Sequence, residues 1–230
     1  MTTTQAVAAV LANQNLPKPS TQWLNALISS QRPNTPLTAV SATAKVRLLS
    51  SDITAANLLD ASAESFPPNL TNPAVKECKL SKTIFVQLLG IEDLSRSRWD
   101  QIEAIEAFER GEGNRGREIV RVVAAEDGEN GQPVLPPVLG GGPHQLVLQD
   151  AKGQRVFALE LKTVAKVGLG MGIGTKIMLK GVTVARGMVL LEPATAVVLG
   201  GKIEALHKNW TANRKKELMQ TIEATGAQSQ

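Results

Sequence analysis

With 230 residues, 43% of them apolar and 20% charged, the chain can fill one or two globular domains and does not read as disordered. Its single cysteine, Cys78, excludes an internal disulfide and a multi-cysteine zinc site, and no apolar run approaches the ~20 residues of a membrane span, so no membrane partner is expected. A net charge of +4 tolerates a nucleic-acid surface without demanding one, and an aromatic share of 3% with no tyrosine leaves few rings for bases to stack on.

The opening MTTTQAVAAVLANQ has neither a basic n-region nor a cleavage pattern, so no secretory signal is read there. Cysteine usage then favours a reducing compartment, cytosol or nucleus. Residues 3–13 form an Ala/Val-rich helix candidate, broken by Leu16-Pro17-Lys18-Pro19. Ser20 or Thr21 can cap a second helix with Trp23, Leu24, Leu27 and Ile28 on one face, ended by Arg32-Pro33-Asn34-Thr35-Pro36. A third follows, striped by Leu37, Val40, Ala44, Leu48 and Leu49, with Lys45 and Arg47 off the stripe. Ser51 or Asp52 is read as the start of a last short helix carrying Ile53, Leu58 and Leu59. A helical module over 1–70 results, jointed to the rest by Phe66-Pro67-Pro68-Asn69 and Asn72-Pro73.

From Lys79 the period changes. Residues 83–89 (TIFVQLL) read as a buried strand, 144–148 as a second, and 155–161 as a third after the turn Asp150-Ala151-Lys152-Gly153. Strands are expected at 175–179 and 187–191, around a turn region at 181–186, and again at 197–199. Gly200-Gly201 then stops the run and Lys202 opens a helical pattern, expected to pack through Ile203, Leu206, Trp210, Leu218 and Ile222. The fold class is α+β: a small helical bundle, then an oligonucleotide/oligosaccharide-binding (OB) β-barrel over 76–200, then a C-terminal helix and tail over 201–230.

One connection breaks the loop-length rule. Some fifty residues, 91–143, separate the first strand from the second, where more than about 15 without strands is uncommon. The insertion begins with a helical piece on which Trp99, Ile102, Ile105 and Phe108 recur every third residue, opposite Asp100, Glu103, Glu106 and Glu109. Arg110, Arg115, Arg117 and Arg121 follow among glycines, and the end, GENGQPVLPPVLGGGP, is rich in proline and glycine.

Catalytic and cofactor readings find little footing. The run Gly168 to Gly174 lacks the G-x-G-x-x-G spacing and is followed by a strand, so it reads as a flexible strand entry rather than a phosphate loop. Neither His144 nor His207 has a Cys, Asp or Glu at a ligand spacing, and no serine sits in a nucleophile elbow, so no metal, no cofactor and no catalytic residue is expected. Single-strand binding is the rival to a protein-contact role, with Lys176, Lys180 and Arg186 available to phosphate. The barrel offers it only Phe85 and Phe157, both within apolar runs that suggest burial. Arg214-Lys215-Lys216 reads as a solvated helix face.

The segment GTKIMLKGVTVARGMVLLEPATAVVLGGKIEAL resembles the barrel end of the RecQ-mediated genome instability protein 1 family. That family has a Pro/Gly-Thr-Lys-Ile strand start, an Arg-x-Gly-x-x-Leu-Leu strand and a Val-x-Val-Leu-Gly-Gly-x-Val-x-x-Leu element. Leu146-Val147-Leu148-Gln149-Asp150 with Gly153 is similar to its Leu-x-Leu-x-Asp-Gly turn, Trp23-Leu24 to its N-terminal helical region, and residues 97–111 to the start of its inserted loop. Glu192 precedes Pro193 where several relatives carry lysine, and the loop interior shares little. The chain resembles the short, fungal form. The resemblance implies a non-catalytic nuclear subunit that binds a type IA topoisomerase (topoisomerase III) alongside a RecQ-family helicase, with at most weak DNA contact. It implies that the inserted loop acts at the DNA gate to promote decatenation and double Holliday junction dissolution; a stand-alone single-strand binder is the alternative. On that reading Arg96, Arg98, Trp99, Ile102, Ile105, Phe108, Arg110, Arg115, Arg117 and Arg121 serve the gate-facing loop. Lys176, Lys180, Arg186, Glu192 and Pro193 form a barrel docking surface.

Overall fold

The structure is a computed structural model that describes residues 3–32, 34–110, 112–115, 118–121 and 141–227. Three helices open the chain: α1 (Thr3–Asn13), α2 (Thr21–Ser29) and α3 (Leu37–Ser50). Ser20 caps α2, its hydroxyl accepting from Trp23 N at 3.1 Å, which satisfies one of the amides a helix start leaves open. Leu11, Leu24, Leu27, Ala44 and Leu48 share one buried core between them. Two details differ from the sequence reading. Residues 51–59 run through turns rather than a fourth helix, because Asp52 closes a local turn on Thr54. Leu37, assigned to the buried stripe of α3, lies exposed in the helix's first turn.

The barrel is built around one strand. β1 (Glu77–Asp93) pairs with the late strand β6 over its first part and with β4 over its last. Register shifts at Leu80/Thr83 and Leu88/Gly90 bend it, and such bulges let one strand turn the corner between two partners. Next come α4 (Arg98–Glu109) and a hairpin of β2 (Glu112–Arg115) with β3 (Glu118–Arg121), both inside the long connection. β4 (His144–Asp150), β5 (Arg155–Glu160), β6 (Lys176–Ala185), β7 (Met188–Leu191) and β8 (Ala196–Gly200) follow. The sheet order is β1-β4-β5-β7-β6-β8, and the extra β1–β6 pairing closes it. The expected turn over 181–186 is strand instead. β6 runs on to Ala185 and the reversal falls at Arg186-Gly187, both at positive φ.

Alternate residues fill the barrel: Val86, Leu88, Leu146, Leu148, Ile177 and Leu179 are all buried. The glycine run before β6 is no flexible entry. Met171 and Ile173 are buried in the barrel core, and Ile203 N donates to Ile173 O at 2.9 Å. The last helix, α5 (Glu204–Ala227), lies across the barrel with Trp210 and Leu218 buried, and with Ile203, Leu206 and Ile222 half-buried. Helices and barrel meet at Gln87, which is fully buried on β1. Its Oε1 accepts from Ile53 N at 3.0 Å, and its Nε2 donates to Asp52 Oδ1 at 2.8 Å and Gln149 Oε1 at 3.0 Å. Gly201, at φ +91°, lies so close to Leu49 O that a Cβ there would overlap it.

Candidate partner-binding surface of the barrel and its insertion

The insertion leaves the barrel through a neck whose two sides are tied together. Leu94 N donates to Pro143 O at 2.9 Å, and Gly142 N donates to Asp93 Oδ1 at 3.2 Å. Asp93 is buried at the end of β1 and also accepts from Ser95 N and Ser95 Oγ at 2.8 and 2.6 Å. Burial pushes its carboxyl up, but the Ser95 bonds, nearby His144 and the Gly142 amide outweigh this and hold it below the ordinary range. Gly141 packs directly on this carboxylate, where any side chain would collide with it.

Beside it stands a buried pair that sequence spacing did not reveal. His144 Nδ1 lies 2.6 Å from Glu160 Oε2, with both side chains out of solvent. The same carboxylate accepts from His144 N at 3.2 Å and from Val164 N at 2.8 Å. His144 therefore does have an acidic partner, sixteen residues on, brought to it by the β4–β5 pairing. Among the described residues no three potential ligands converge as a metal would require. Every oxygen of Glu160 is occupied by the protein, so the pair is structural in its connections.

The insertion helix docks on α5. Ser97 caps α4 in a capping box with Asp100, and Gln101, buried, reaches back with Nε2 to Asp93 O at 2.9 Å and Arg96 O at 3.3 Å. Its Oε1 accepts from Arg214 Nη2 at 3.2 Å. Arg214 is itself buried, with its guanidinium 4.5 Å from the Trp210 ring centroid; burial lowers its pKa, and Glu92 and Asp93 oppose that. Further along, Lys215 lies 2.9 Å from Glu106 and 3.4 Å from Glu109. The supposedly solvated run 214–216 is thus divided: Arg214 is core, Lys215 clasps α4, and only Lys216 is exposed.

The residues assigned to the loop separate accordingly. Ile102 is buried, Ile105 and Phe108 are half-buried, and Trp99 stays 63% exposed, so the four do not share one face. A spacing of three drifts around a helix of 3.6 residues per turn, which is why Trp99 ends outside. Arg98 pairs with Glu92 at 2.8 Å, Arg96 and Arg110 are exposed, and Arg110 lies 3.9 Å from Glu106. Arg115 and Arg121 fall on the hairpin in register with Glu118 and Glu112. Arg117 lies outside the described residues.

On the barrel, Lys176 cannot serve as docking surface. It is buried at the start of β6, its Nζ donating to Gly174 O at 2.7 Å. Burial lowers its pKa to about 8, against the opposing pull of Asp52. Lys180 is exposed midway along β6, where its N donates to Thr195 O, Pro193 is exposed in the turn before β8, and Glu192 pairs with Lys162 at 2.8 Å. Arg186 is exposed just past the end of β6, six residues or roughly 20 Å from Lys180, and donates to Pro73 O at 3.1 Å. These five residues form no single patch. What is apolar and exposed instead is Phe157, 55% accessible on β5, contrary to its expected burial; Phe85 is half-buried.

Comparison with known proteins bears on both the barrel and the helical module. The model described as "RMI1, N-terminal OB-fold domain" matches residues 66–214, and "RMI1, N-terminal helical domain" matches residues 11–56. The chain belongs to the RecQ-mediated genome instability protein 1 family. A family member from Schizosaccharomyces pombe (strain 972) is 27% identical over 147 residues, 59% of this chain and 63% of that protein. The Xenopus laevis member is 26% identical over 160 residues, covering 69% of this chain and 26% of its own. Tudor domain-containing protein 3 of Xenopus tropicalis is 34% identical over 100 residues, 43% of this chain and 13% of that protein. These matches span less than two thirds of each relative's length. The OB barrel and helical module are therefore family features.

Proposed function

We propose that the chain is a non-catalytic accessory subunit of topoisomerase III, a type IA enzyme, acting in the nucleus beside a RecQ-family helicase. Its barrel docks on the topoisomerase, and its insertion biases the DNA gate toward decatenation and double Holliday junction dissolution. The observation that carries this reading is the neck. A segment meant to act on a partner's moving part needs a fixed root, and here both ends are bonded to each other and to buried Asp93. The route is population shift: a subunit that binds one gate state better moves that equilibrium by its differential affinity and no further. The family name, with its reference to RecQ, supports the helicase side of the reading.

Single-strand binding has one observation in its favour, exposed Phe157 with exposed Arg155 two residues away. Stacking platforms combine several rings with a basic groove, and the cross-strand neighbours of Phe157 are Val147 and Met188. Replacing residues 111–140 with a short Gly/Ser linker keeps α4 and the neck. Topoisomerase III binding is expected to stay within a few-fold of the intact chain while stimulation of decatenation is lost. Undiminished stimulation would remove the insertion's role, and absence of topoisomerase binding by the intact chain would remove the reading altogether.

A further inference from the structure

Strands that are apolar on only one face can leave the other in water, whereas strands apolar on both faces are normally covered on both. β5 and β7 are of the second kind, and β4 beside them adds Val147 between the outward Gln145 and Gln149. Inside the barrel they present Leu146, Val156, Ala158 and Val189, all buried. Outside, in register across three strands, lie Val147 opposite Phe157 and Phe157 opposite Met188, with Leu159 opposite Leu190 in the next row. None of these five outward residues is buried, and Leu161 prolongs the strip at 54% exposure.

The covering is half built. Gly90 continues the first row, opposite Val147, and there α5 seats Trp210 on the sheet, with Leu218 beyond it along a cleft that reaches Phe157. This same sheet face thus already accepts one apolar helix face from its own chain. Helices pack about 8–10 Å apart, so a second element laid beside α5 would fall over Phe157, Leu159, Met188 and Leu190.

The charges bordering the strip decide what kind of molecule completes it. On the α5 side the cleft is edged by Glu217 and by Glu92, the latter paired with Arg98. At the other border Arg155 is exposed and pairs with no acid among the described residues. At the far end Lys162 and Glu192 neutralise each other at 2.8 Å. With Glu92 and Glu217 already facing Arg214, and Glu92 paired with Arg98, the single exposed Arg155 is poor ground for a phosphate backbone, which needs a basic track. An apolar centre with mixed charge at its rim is the composition of a protein–protein interface.

We propose that the outer face of β4, β5 and β7, centred on Phe157, is where the chain docks on its protein partner. The partner offers an apolar surface element, with a cation facing Glu217 and a carboxylate facing Arg155. Taking that partner to be the topoisomerase rests on the accessory-subunit reading above. The surface differs from the one the sequence pointed to. Lys176 is buried and Arg186 lies apart, while Glu192 and Pro193 stand at the strip's end.

The test uses the full chain and purified topoisomerase III, with affinity measured by titration. Phe157→Glu is expected to raise Kd at least about thirtyfold, as for a central anchor of an interface. Arg155→Glu should raise it only several-fold, more at low salt than at high. Val46→Glu, at an equally exposed apolar site on α3, should leave it unchanged. Far-ultraviolet circular dichroism and melting temperature report whether each variant folds; should Phe157→Glu not fold, Leu159→Lys takes its place with the same expectation. Intact binding by both strip variants overturns the proposed surface while leaving the accessory reading standing. No binding by the unaltered chain overturns both. Retained topoisomerase binding with loss of single-stranded DNA binding would make the strip a nucleic-acid surface and overturn the proposal.

Discussion

β1 carries a buried polar cluster on each side of its second bulge, and the two are assembled differently. Around Gln87 the groups are mostly amides with every partner present: Ile53 N, Asp52 and Gln149 each take one bond. Around Asp93 the groups are ionisable. His144, Glu160 and Arg214 gather there, and Asp93 Oδ2 and Arg214 Nη1 are buried without a hydrogen-bond partner. The first cluster welds two apolar cores with its amides fully paired; burial pushes its one carboxylate, Asp52, up, but the bonds from Thr54 and Gln87 hold it below the ordinary range. The second roots a long segment that leaves the barrel. Its members are joined by hydrogen bonds between buried side chains, so removing one strands its partner.

The largest effect expected from this contrast is at the neck. Glu160→Ala leaves His144 N, His144 Nδ1 and Val164 N unpartnered in a buried place, at a cost of about 4 kcal/mol in chemical denaturation. Amide exchange should then quicken at Leu94 and Gly142 more than in α1. A cost below about 1 kcal/mol would mean that the neck is held by its backbone bonds alone. Gln87→Leu comes next, at about 2–3 kcal/mol, because it strands a single backbone amide, Ile53 N, and releases two side chains that can turn to water. If this substitution proved the costlier, the saturated seam would be the more critical joint and the ranking of the two clusters would reverse.

The smallest effect concerns Lys176, a cation set against the amide seam. Its folded pKa of about 8 lies below the ordinary lysine value of 10.5, so the unfolded chain binds the extra proton between those limits. The cost of burying the charge is therefore complete below pH 8 and disappears as pH rises toward 10.5. Stability of the natural chain should rise relative to Lys176→Met by about 2 kcal/mol over that window. Denaturation midpoints at pH 7, 8, 9 and 10 measure it, and parallel curves for the two proteins would show that Lys176 is solvated.

Much of this architecture was legible in the chain because it rests on local rules. The helix start at Ser20, the turn at Asp150–Gly153, the length of the insertion and the stop at Gly200-Gly201 depend on neighbours a few residues apart. Periodicity likewise marked the barrel strands, β6 only over its first half, but not β2 and β3 of the insertion. In β6 Gly181 looked like a turn residue and proved to be a strand position at positive φ, with the chain reversing five residues later.

Whatever depended on distant partners was beyond reach of the sequence. A histidine and a glutamate sixteen residues apart look unrelated until two strands lay them side by side, and Arg214 looks solvated until Trp210 and Gln101 enclose it. Lys176 and Phe157 exchanged their expected places for one reason. The periodicity of a strand says which residues share a face, but what lies against that face is contributed by other parts of the chain. Lys176 is enclosed, its amine bonded to Gly174 O and facing the charge of Asp52, whereas the described residues leave Phe157 open. The amino-acid pattern by itself determined the elements, their order and the family to which they belong. Burial, charge pairing and the identity of the open face were decided by tertiary packing, because each is a property of two surfaces and the pattern of one strand describes only one of them.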